Sequence, residues 1–574
     1  MKRLLFIFLT ALGMLGACSP AAEQSPFRYR WVYVSMNPAD SSQVEQLRQV
    51  ARDAAEHGFN GVLLSAGLDR LDVRGPEYFK GLEEVKKICA DSRLEIIPSV
   101  FSVGYGSGLA QNKNLAAGMP VCEALFVAQV DQASLVSDPL VEIPNGGFEK
   151  LQGTRAASFE YPDSSDKKII ADKSVFKEGR AALRFESLSD KRGESSRVSR
   201  NVAVQPFRPY RIGFWLKTEG LDIDGTKFRG GSFNGNIRLL VYGASDHREL
   251  LRFDPRVAAT SDWTWVCAGF NSLGYDSVEV ALAGAAKPEA KFWADGLKLE
   301  EAGLANILRR PGTPLTVRGE KSGTIYEEGR DFAEVSDPQL DCYFDHDGPA
   351  IHLLPGGRIK PGERLRVSYY HGMTVPVNKH QITVCMSEPE LYEIWRKQVS
   401  LIQEHLAPKA YFLPQDEIRN GGWCKACTDR NMTMGQILSD CITRQYNIIK
   451  EANPQAEVFI WSDMLDPNHN AGPRVGKYYY MVNGLFDGSW NYVPKDLVIA
   501  VWGRSLRDKS LEHFSGLGFR TLGAIYYDAD DLEDVPGCLE ALEKTPSACG
   551  VMYTTWEDKY SLLGQFGDLV AGKK

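Results

Sequence analysis

The sequence lacks polybasic stretches and glycine-rich phosphate loops. It carries 66 Lys and Arg against 74 Asp and Glu, a net charge of -8. Nucleic-acid binding depends on cations that neutralise phosphates, so nucleic acid is not expected as a partner. No Ser-His-Asp order and no cluster of metal ligands stands out either. We therefore predict neither a metal site nor a cofactor.

Cysteines rarely occur in pairs. Cys424 and Cys427 form the single C-x-x-C, and no second cysteine pair or histidine pair stands at zinc-finger spacing. Zinc usually takes four protein ligands in a structural site, so we expect a local disulfide or buried thiols here rather than metal. The other cysteines are scattered over a long chain, which excludes a disulfide-stapled miniprotein.

Long apolar runs are missing from the sequence except at the N-terminus. At the N-terminus, Lys2 and Arg3 precede an apolar run over 4–15 and the segment Leu15-Gly16-Ala17-Cys18. The run is too short to span a bilayer and predicts a signal peptide over 1–18, with a lipobox and a lipidated Cys18. An ordinary secretory signal is the alternative. With lipidation, acyl chains would anchor an exported, otherwise soluble protein to the bacterial cell envelope, on the outer membrane or facing the periplasm.

Strand-like and helical segments alternate at both ends of the 574-residue chain. Three such β/α units lie in 27–140 and about five in 385–574. Parallel strands need crossover helices, and eight strands are the number at which a parallel barrel closes around packed side chains. The pattern predicts an α/β fold, a (β/α)8 TIM barrel interrupted by an insertion.

Short alternating strands replace this pattern between the two halves. They predict a β-sandwich over 141–301 and a small accessory β-domain over 302–384. Four segments resemble carbohydrate-binding modules of the family 4/9 type: 145–149, 179–185, 210–217 and 292–299. The resemblance implies a jelly roll and a carbohydrate partner, although such folds also serve as spacers.

Polar residues follow several predicted barrel strands, at the end where TIM barrels hold their active sites. Asp416 and Glu417 follow the fourth strand, with Arg419 within reach. Glycosidic cleavage needs a proton donor and a second group that stabilises or attacks the anomeric carbon, work for two carboxyls in unlike environments. We predict this pair as catalytic. Substrate-binding candidates are Arg419 and the residues at strands five to eight: Trp461, Asp463, Trp502, Tyr526, Tyr527, Trp556 and Glu557.

This layout resembles family 20 glycoside hydrolases, the β-N-acetylhexosaminidases, whose fourth strand ends in Asp-Glu. The resemblance implies that Glu417 is the general acid and that Asp416 orients the substrate's own 2-acetamido group as the nucleophile. It also implies that Tyr527, or Tyr526 in the other register, donates a hydrogen bond to the acetamido oxygen. Trp556 and Glu557 would line the sugar pocket.

Three functions stay open at this point. The first is a glycoside hydrolase acting on glycans that contain 2-acetamido sugars. The second is a glycosidase for other sugars, with Glu417 and either Asp463 or Glu557 as its two carboxylates. The third is a non-catalytic lipoprotein that binds glycans at the cell surface. His469, on a loop expected over the barrel mouth, is either a substrate contact or a plain loop histidine.

Overall fold

The computed structural model describes residues 26–162, 168–188, 196–221, 237–285, 288–376, 381–472, 481–503 and 505–572, without the side chains of 107–111. The predicted signal peptide and Cys18 lie outside these ranges. Within them, none of the helices has the length and apolar character needed to cross a membrane.

Eight parallel strands form a TIM-like barrel. They are β1 (Tyr29–Ser35), β2 (Gly61–Ser65), β3 (Glu95–Pro98), β4 (Ala410–Leu413), β5 (Glu457–Trp461), β6 (Val498–Val501), β7 (Arg520–Tyr527) and β8 (Ala548–Thr554). The sheet runs from β4 through β8 to β1, β2 and β3. A parallel bridge between Ser99 and Phe412 joins its two edges. The prediction that two distant stretches complete one parallel barrel is confirmed.

Helices pack around the outside of this barrel. They are α1 (Ser41–Glu56), α2 (Pro76–Asp91), α3 (Pro389–Leu406), α4 (Lys425–Thr428), α5 (Met434–Ala452), α6 (Arg507–Gly516), α7 (Val535–Glu543) and α8 (Leu563–Val570). Short 3-10 helices cover Leu68–Val73, Gly106–Leu115, Asp463–Leu465 and Ser489–Asn491. The start of α5 is fixed by a reciprocal capping box between Thr433 and Gln436, which satisfies two backbone donors.

The barrel strands divide their side chains between two cores. In β1, Tyr29, Trp31 and Tyr33 point into the barrel, whereas Val32 and Val34 pack against the helices. This alternation follows from the two-residue period of a strand. The inner core is rich in aromatic rings, and its upper members reach the rim where the candidate site lies.

Two antiparallel sheets enclose a separate core in the insertion. One contains Ser196–Ala203, Ser277–Gly284, Ile237–Gly243 and Glu249–Phe253, and the other Ser261–Asn271, Pro209–Glu219, Lys291–Glu301, Ala182–Phe185 and Ile169–Asp172. Buried residues of both sheets, such as Phe214, Phe292 and Leu282, share one cluster. A β-sandwich is therefore present, while its jelly-roll connectivity stays a prediction.

A third antiparallel sheet corrects the predicted boundary at residue 140. Its strand order is Ile325–Tyr326, Thr316–Gly319, Arg364–His371, Met119–Ala128, Gln132–Leu135 and Ile351–His352. Residues 119–135 were expected within the first barrel part, and 302–384 as a self-contained accessory domain. The sheet instead takes strands from both sides of the sandwich, because Arg364–His371 and Met119–Ala128 pair antiparallel.

Small two-stranded ladders join Leu151–Gln152 with Arg155–Ala156 and Asn420–Gly421 with Met481–Val482.

Candidate active site

The loop after β4 is anchored by a buried glutamine. The Nε2 atom of Gln415 donates to the Phe101 carbonyl at 2.7 Å and to Oε1 of Gln445 at 3.0 Å, while its Oε1 accepts from the Val103 amide at 3.3 Å. These contacts tie the β4 loop to the β3 loop and to α5. A Cβ atom on Gly104 would lie 2.1 Å from the Asp416 carbonyl oxygen, so the two loops touch through their backbones.

Glu417 is held by contacts at both its backbone and its side chain. Its φ angle of 44° is in the left-handed region, which costs a non-glycine residue energy and persists only where surrounding contacts offset that cost. Its amide donates to Oδ2 of Asp463 at 3.1 Å, and its carbonyl accepts from Gln381 at 3.1 Å. Its Oε2 accepts from the Arg419 guanidinium at 2.9 Å and from the Tyr105 hydroxyl. The side chain is 21% exposed, so this carboxylate is fixed and still accessible.

Three carboxyl groups gather at this point of the rim. Burial, followed by the charges of Asp463 and Glu417, raises the pKa of Asp416 well above its usual range. Burial also raises the pKa of Asp463, against the opposing effects of His469 and of a hydrogen bond from Asn470. One oxygen of Asp416 and one of Asp463 are buried without a hydrogen-bond partner. Like-charged carboxyls in a shared site favour retention of a proton, so the cluster can both donate and accept protons.

Aromatic rings stand beside the carboxyl cluster. Trp461, at the end of β5, lies 6.1 Å from Trp556 and 6.4 Å from Trp502 between ring centroids. Trp556 in turn lies 4.9 Å from Tyr33, whose pKa is raised by burial and also by the charge of Asp416. Trp556 is 48% exposed. An exposed indole over buried rings provides a flat apolar surface of the kind on which a sugar ring can lie.

A bulge in β7 separates the two neighbouring tyrosines. The strand register shifts between Ala524 and Tyr526, so Ile525 and Tyr526 both pack on the helix side of the barrel. Tyr526 stacks on Tyr553 at 4.1 Å. Tyr527 lies instead 6.2 Å from Trp502, and its hydroxyl accepts from the Gly503 amide at 3.0 Å. The structure thus brings Tyr527 toward the candidate site and leaves Tyr526 out.

The segment after β8 is held by Asp528. Its carboxylate accepts from the Trp556 amide at 2.8 Å, from the Glu557 amide at 3.3 Å and from the Thr555 hydroxyl. The side chain of Glu557 is exposed and forms an ion pair with Lys559 at 3.1 Å. Trp556 and Glu557 were both predicted to bind substrate. Trp556 joins the aromatic surface, whereas the Glu557 side chain pairs with Lys559.

Sequence reasoning missed four residues of the site: Tyr33, Tyr105, Gln381 and Asp528. Tyr33 is on β1, and the strand-end rule that selected the other aromatic residues could have found it. Asp528 directly follows the predicted Tyr527. Tyr105 and Gln381 come from irregular segments on either side of the insertion, and no local pattern marks them. His469 lies 4.7 Å from the Trp502 ring, on the loop where a substrate contact was considered.

No protein-family model matches the chain, and no curated protein matches it. A rhamnosidase from Novosphingobium sp. PP1Y is similar over 93% of this chain and 56% of its own, with 9% identity and a TM-score of 0.34. A CBM61 module solved with β-1,4-galactotriose is similar over 28% of this chain and 97% of its own, with 15% identity and a TM-score of 0.20. A CBM4 structure is similar over 28% of this chain and 99% of its own, with 13% identity and a TM-score of 0.20.

Proposed function

We propose that this protein is a glycoside hydrolase whose catalytic site is the carboxyl cluster at the barrel rim. The observation that carries the proposal is the meeting of Asp416, Glu417 and Asp463 at the barrel rim, where Tyr33 lies against the exposed ring of Trp556 and is influenced by the charge of Asp416. Paired carboxyls in unlike environments provide the acid and the second group that glycosidic cleavage needs. The carboxyl ends of barrel strands are also where TIM-barrel enzymes place their catalytic groups.

In this proposal Glu417 protonates the leaving oxygen and Asp416 orients the 2-acetamido group of the substrate. The accessible Glu417 carboxyl, fixed by Arg419 and Tyr105, is placed for the first role. The proton that it delivers would be drawn from Asp416, whose raised pKa retains one in the cluster. The buried Asp416 oxygen without a protein partner supports the second, because it is free to accept the acetamido N–H. The Tyr527 hydroxyl donates to the Ala524 carbonyl at 2.7 Å, and it is proposed to exchange that bond for one to the acetamido oxygen when substrate binds. The Trp556 ring is the proposed platform for the sugar.

The test is hydrolysis of aryl N-acetylglucosaminides and N-acetylgalactosaminides. Removing a general acid typically costs about 100- to 10,000-fold in rate, so Glu417→Gln should reduce kcat by that amount on a phenyl glycoside. The loss should be smaller on a dinitrophenyl glycoside, because a good leaving group needs less protonation. Glu404→Gln, at an exposed carboxyl on α3, is the matched control and should leave both rates unchanged. Equal losses on both leaving groups would remove Glu417 from the acid role.

Asp463 favours a second candidate, a two-carboxylate glycosidase acting on sugars without an acetamido group. It is fully buried, and its Oδ2 atom lies 3.1 Å from the Glu417 amide nitrogen. Glu557, the other partner considered, is exposed and paired with Lys559. Turnover of acetamido-free aryl glycosides, lost in Asp463→Asn and insensitive to thiazoline inhibitors, would select this mechanism. Binding of glycans without any turnover would overturn both enzymatic proposals in favour of the non-catalytic lipoprotein.

The sandwich is proposed to bind carbohydrate, and Cys18 is proposed to anchor the exported protein to the cell envelope. Affinity electrophoresis of the whole protein tests the first idea, because binding should slow its migration in gels that contain polysaccharide. Equal migration in gels with and without polysaccharide would contradict carbohydrate binding. Metabolic labelling with an alkyne fatty acid tests the second. The label should enter the wild-type chain and be absent from Cys18→Ala, whereas equal labelling of both chains would exclude lipidation at Cys18.

A further inference from the structure

Three buried cysteines meet between the start of α4 and the segment that leads into α3. Cys424 and Cys427 lie at the start of α4 and within it, and Cys385 lies just before α3. The Sγ atom of Cys385 is 3.4 Å from that of Cys424 and 3.7 Å from that of Cys427, and the last two are 3.7 Å apart. All three are free thiols. The sequence predicted a local disulfide or buried thiols from the C-x-x-C alone, and it did not predict the third cysteine.

The geometry of this cysteine triangle matches the ligand set of a tetrahedral ion. A Zn–S bond of about 2.3 Å places neighbouring sulfur ligands about 3.8 Å apart, close to all three observed separations. A disulfide would join two of the sulfurs and leave the third without a role. The three Sγ atoms lie close enough together to hold one metal ion, and soft thiolates select zinc or copper(I) over harder cations.

A buried arginine supplies the charge that such a site needs. The Arg310 side chain is 5% exposed. Its Nη2 atom lies 3.6 Å from the Cys424 sulfur, and its Nε atom donates to Glu388 at 2.7 Å. A buried guanidinium is costly unless anionic groups surround it. Three thiolates around Zn²⁺ leave one negative charge, and Arg310 would lie between that charge and the Glu388 carboxylate, in contact with both.

We propose that Cys385, Cys424 and Cys427 bind one Zn²⁺ ion as thiolates, with a solvent molecule as the fourth ligand. Each thiol releases its proton when the ion binds. The ion would join the β4 loop to the start of α3, and Arg310 would extend the link to the insertion. It would therefore hold the segment that carries Asp416 and Glu417 in place, a structural role that does not depend on which reaction the rim performs.

Metal analysis of the purified full-length protein tests the proposal. The wild-type chain should contain about one zinc per chain by inductively coupled plasma mass spectrometry. Cys427→Ser should lose most of it, since one thiolate ligand is gone. Cys549→Ser, a cysteine on β8 outside the triangle, is the matched control and should keep the metal.

A second measurement uses the wild-type chain alone, in case Cys427→Ser does not fold. Replacing zinc by Co²⁺ should produce sulfur-to-cobalt charge-transfer bands together with the visible bands of a tetrahedral ion. A mercurial that blocks thiols should release the zinc to a metallochromic dye. An intact mass and peptide map showing a disulfide between any two of the three cysteines would overturn the proposal. Failure to take up Zn²⁺ or Co²⁺ after reduction would also overturn it.

Discussion

Gly104 is a residue at which a single methyl group should matter. A Cβ atom there would lie 2.1 Å from the Asp416 carbonyl oxygen and 3.0 Å from that of Glu417. Both are backbone atoms that cannot move aside as a flexible side chain would. We expect Gly104→Ala to lower the free energy of unfolding by about 1–3 kcal/mol, the usual cost of overpacking, and to displace the acid pair.

Denaturant unfolding and the hydrolysis rate check this expectation. Gly537→Ala is the matched control, because a Cβ atom there, within α7, meets nothing within 4 Å. The control should be neutral or slightly stabilising, since alanine favours helix over glycine. A Gly104→Ala variant with unchanged stability and unchanged activity would mean that the two loops are not in close contact.

The raised pKa of Asp416 predicts a pH dependence of stability. Burial and the neighbouring carboxyls raise this pKa above the value in the unfolded chain, which is about 4 for an aspartate. Between those two values the native state binds the proton more tightly than the unfolded state does. The protonated Asp416 therefore contributes to the free energy of unfolding fully below about pH 4. That contribution is lost as the pH rises toward the pKa of Asp416 in the folded protein.

Asp416→Asn removes this titration while keeping the shape of the side chain. The stability of the variant relative to wild type should therefore increase as the pH rises from about 4. Urea unfolding at several pH values measures it, with Asp91→Asn at an exposed carboxyl as the control. A constant difference between Asp416→Asn and wild type across this range would show that Asp416 keeps an ordinary pKa.

At the scale of elements, the segment after β8 depends on one carboxylate from the β7 end. Asp528 accepts from the amides of Trp556 and Glu557 and from the Thr555 hydroxyl. Asp528→Ala leaves the hydroxyl of the buried Thr555 without this partner, which costs about 1–3 kcal/mol for a buried donor. The amides of the exposed Trp556 and Glu557 would turn to water instead. We expect Trp556 to become more mobile and the KM for a glycan substrate to rise more than kcat falls.

Acrylamide quenching of tryptophan fluorescence and a KM-against-kcat comparison measure these effects. Asp530→Ala, two residues further along the same loop and exposed, is the matched control and should leave both readouts as in wild type. If Asp528→Ala reduced kcat alone and left quenching unchanged, Asp528 would act in the chemistry rather than through the position of Trp556.

Element types and many boundaries were readable from the sequence. The apolar run over 410–413 predicts a strand and the amphipathic pattern over 434–452 predicts a helix, and β4 and α5 have these bounds in the structure. In both, the local signals agree: a short apolar run in β4, and in α5 an amphipathic pattern begun by a capping threonine. The choice between Tyr526 and Tyr527 was not readable, because a bulge in β7 changes which side each residue faces.

At the scale of the whole molecule, the insertion leaves and re-enters the barrel at adjacent points. The Ala117 amide donates to the Thr383 carbonyl at 2.8 Å, and Ala116 pairs with Val384. In the described part of the chain, the buried members of the two barrel cores all lie outside 117–383. The barrel can therefore be expected to fold without the insertion.

A variant in which a short Gly-Ser turn replaces 118–382 should be soluble and unfold cooperatively. A variant lacking 302–384 should aggregate, because it loses Arg364–His371 and leaves Met119–Ala128 as an unpaired edge. Size-exclusion chromatography, circular dichroism and thermal unfolding compare the two. If only the variant lacking 302–384 stayed soluble, the barrel would depend on the sandwich segment rather than on the six-stranded sheet, four strands of which lie in 302–384.

By itself, the sequence determined the alternation of strands and helices, the interrupted barrel and the strand ends where acids and indoles cluster. These follow from local periodicity and from the rule that parallel strands share one functional edge. Only the tertiary structure decided that Tyr105 and Gln381 contact Glu417, that Cys385 joins the C-x-x-C, and that the accessory sheet takes strands from both sides of the sandwich. These contacts join residues far apart in the chain, and no local pattern encodes which distant segment will be the partner.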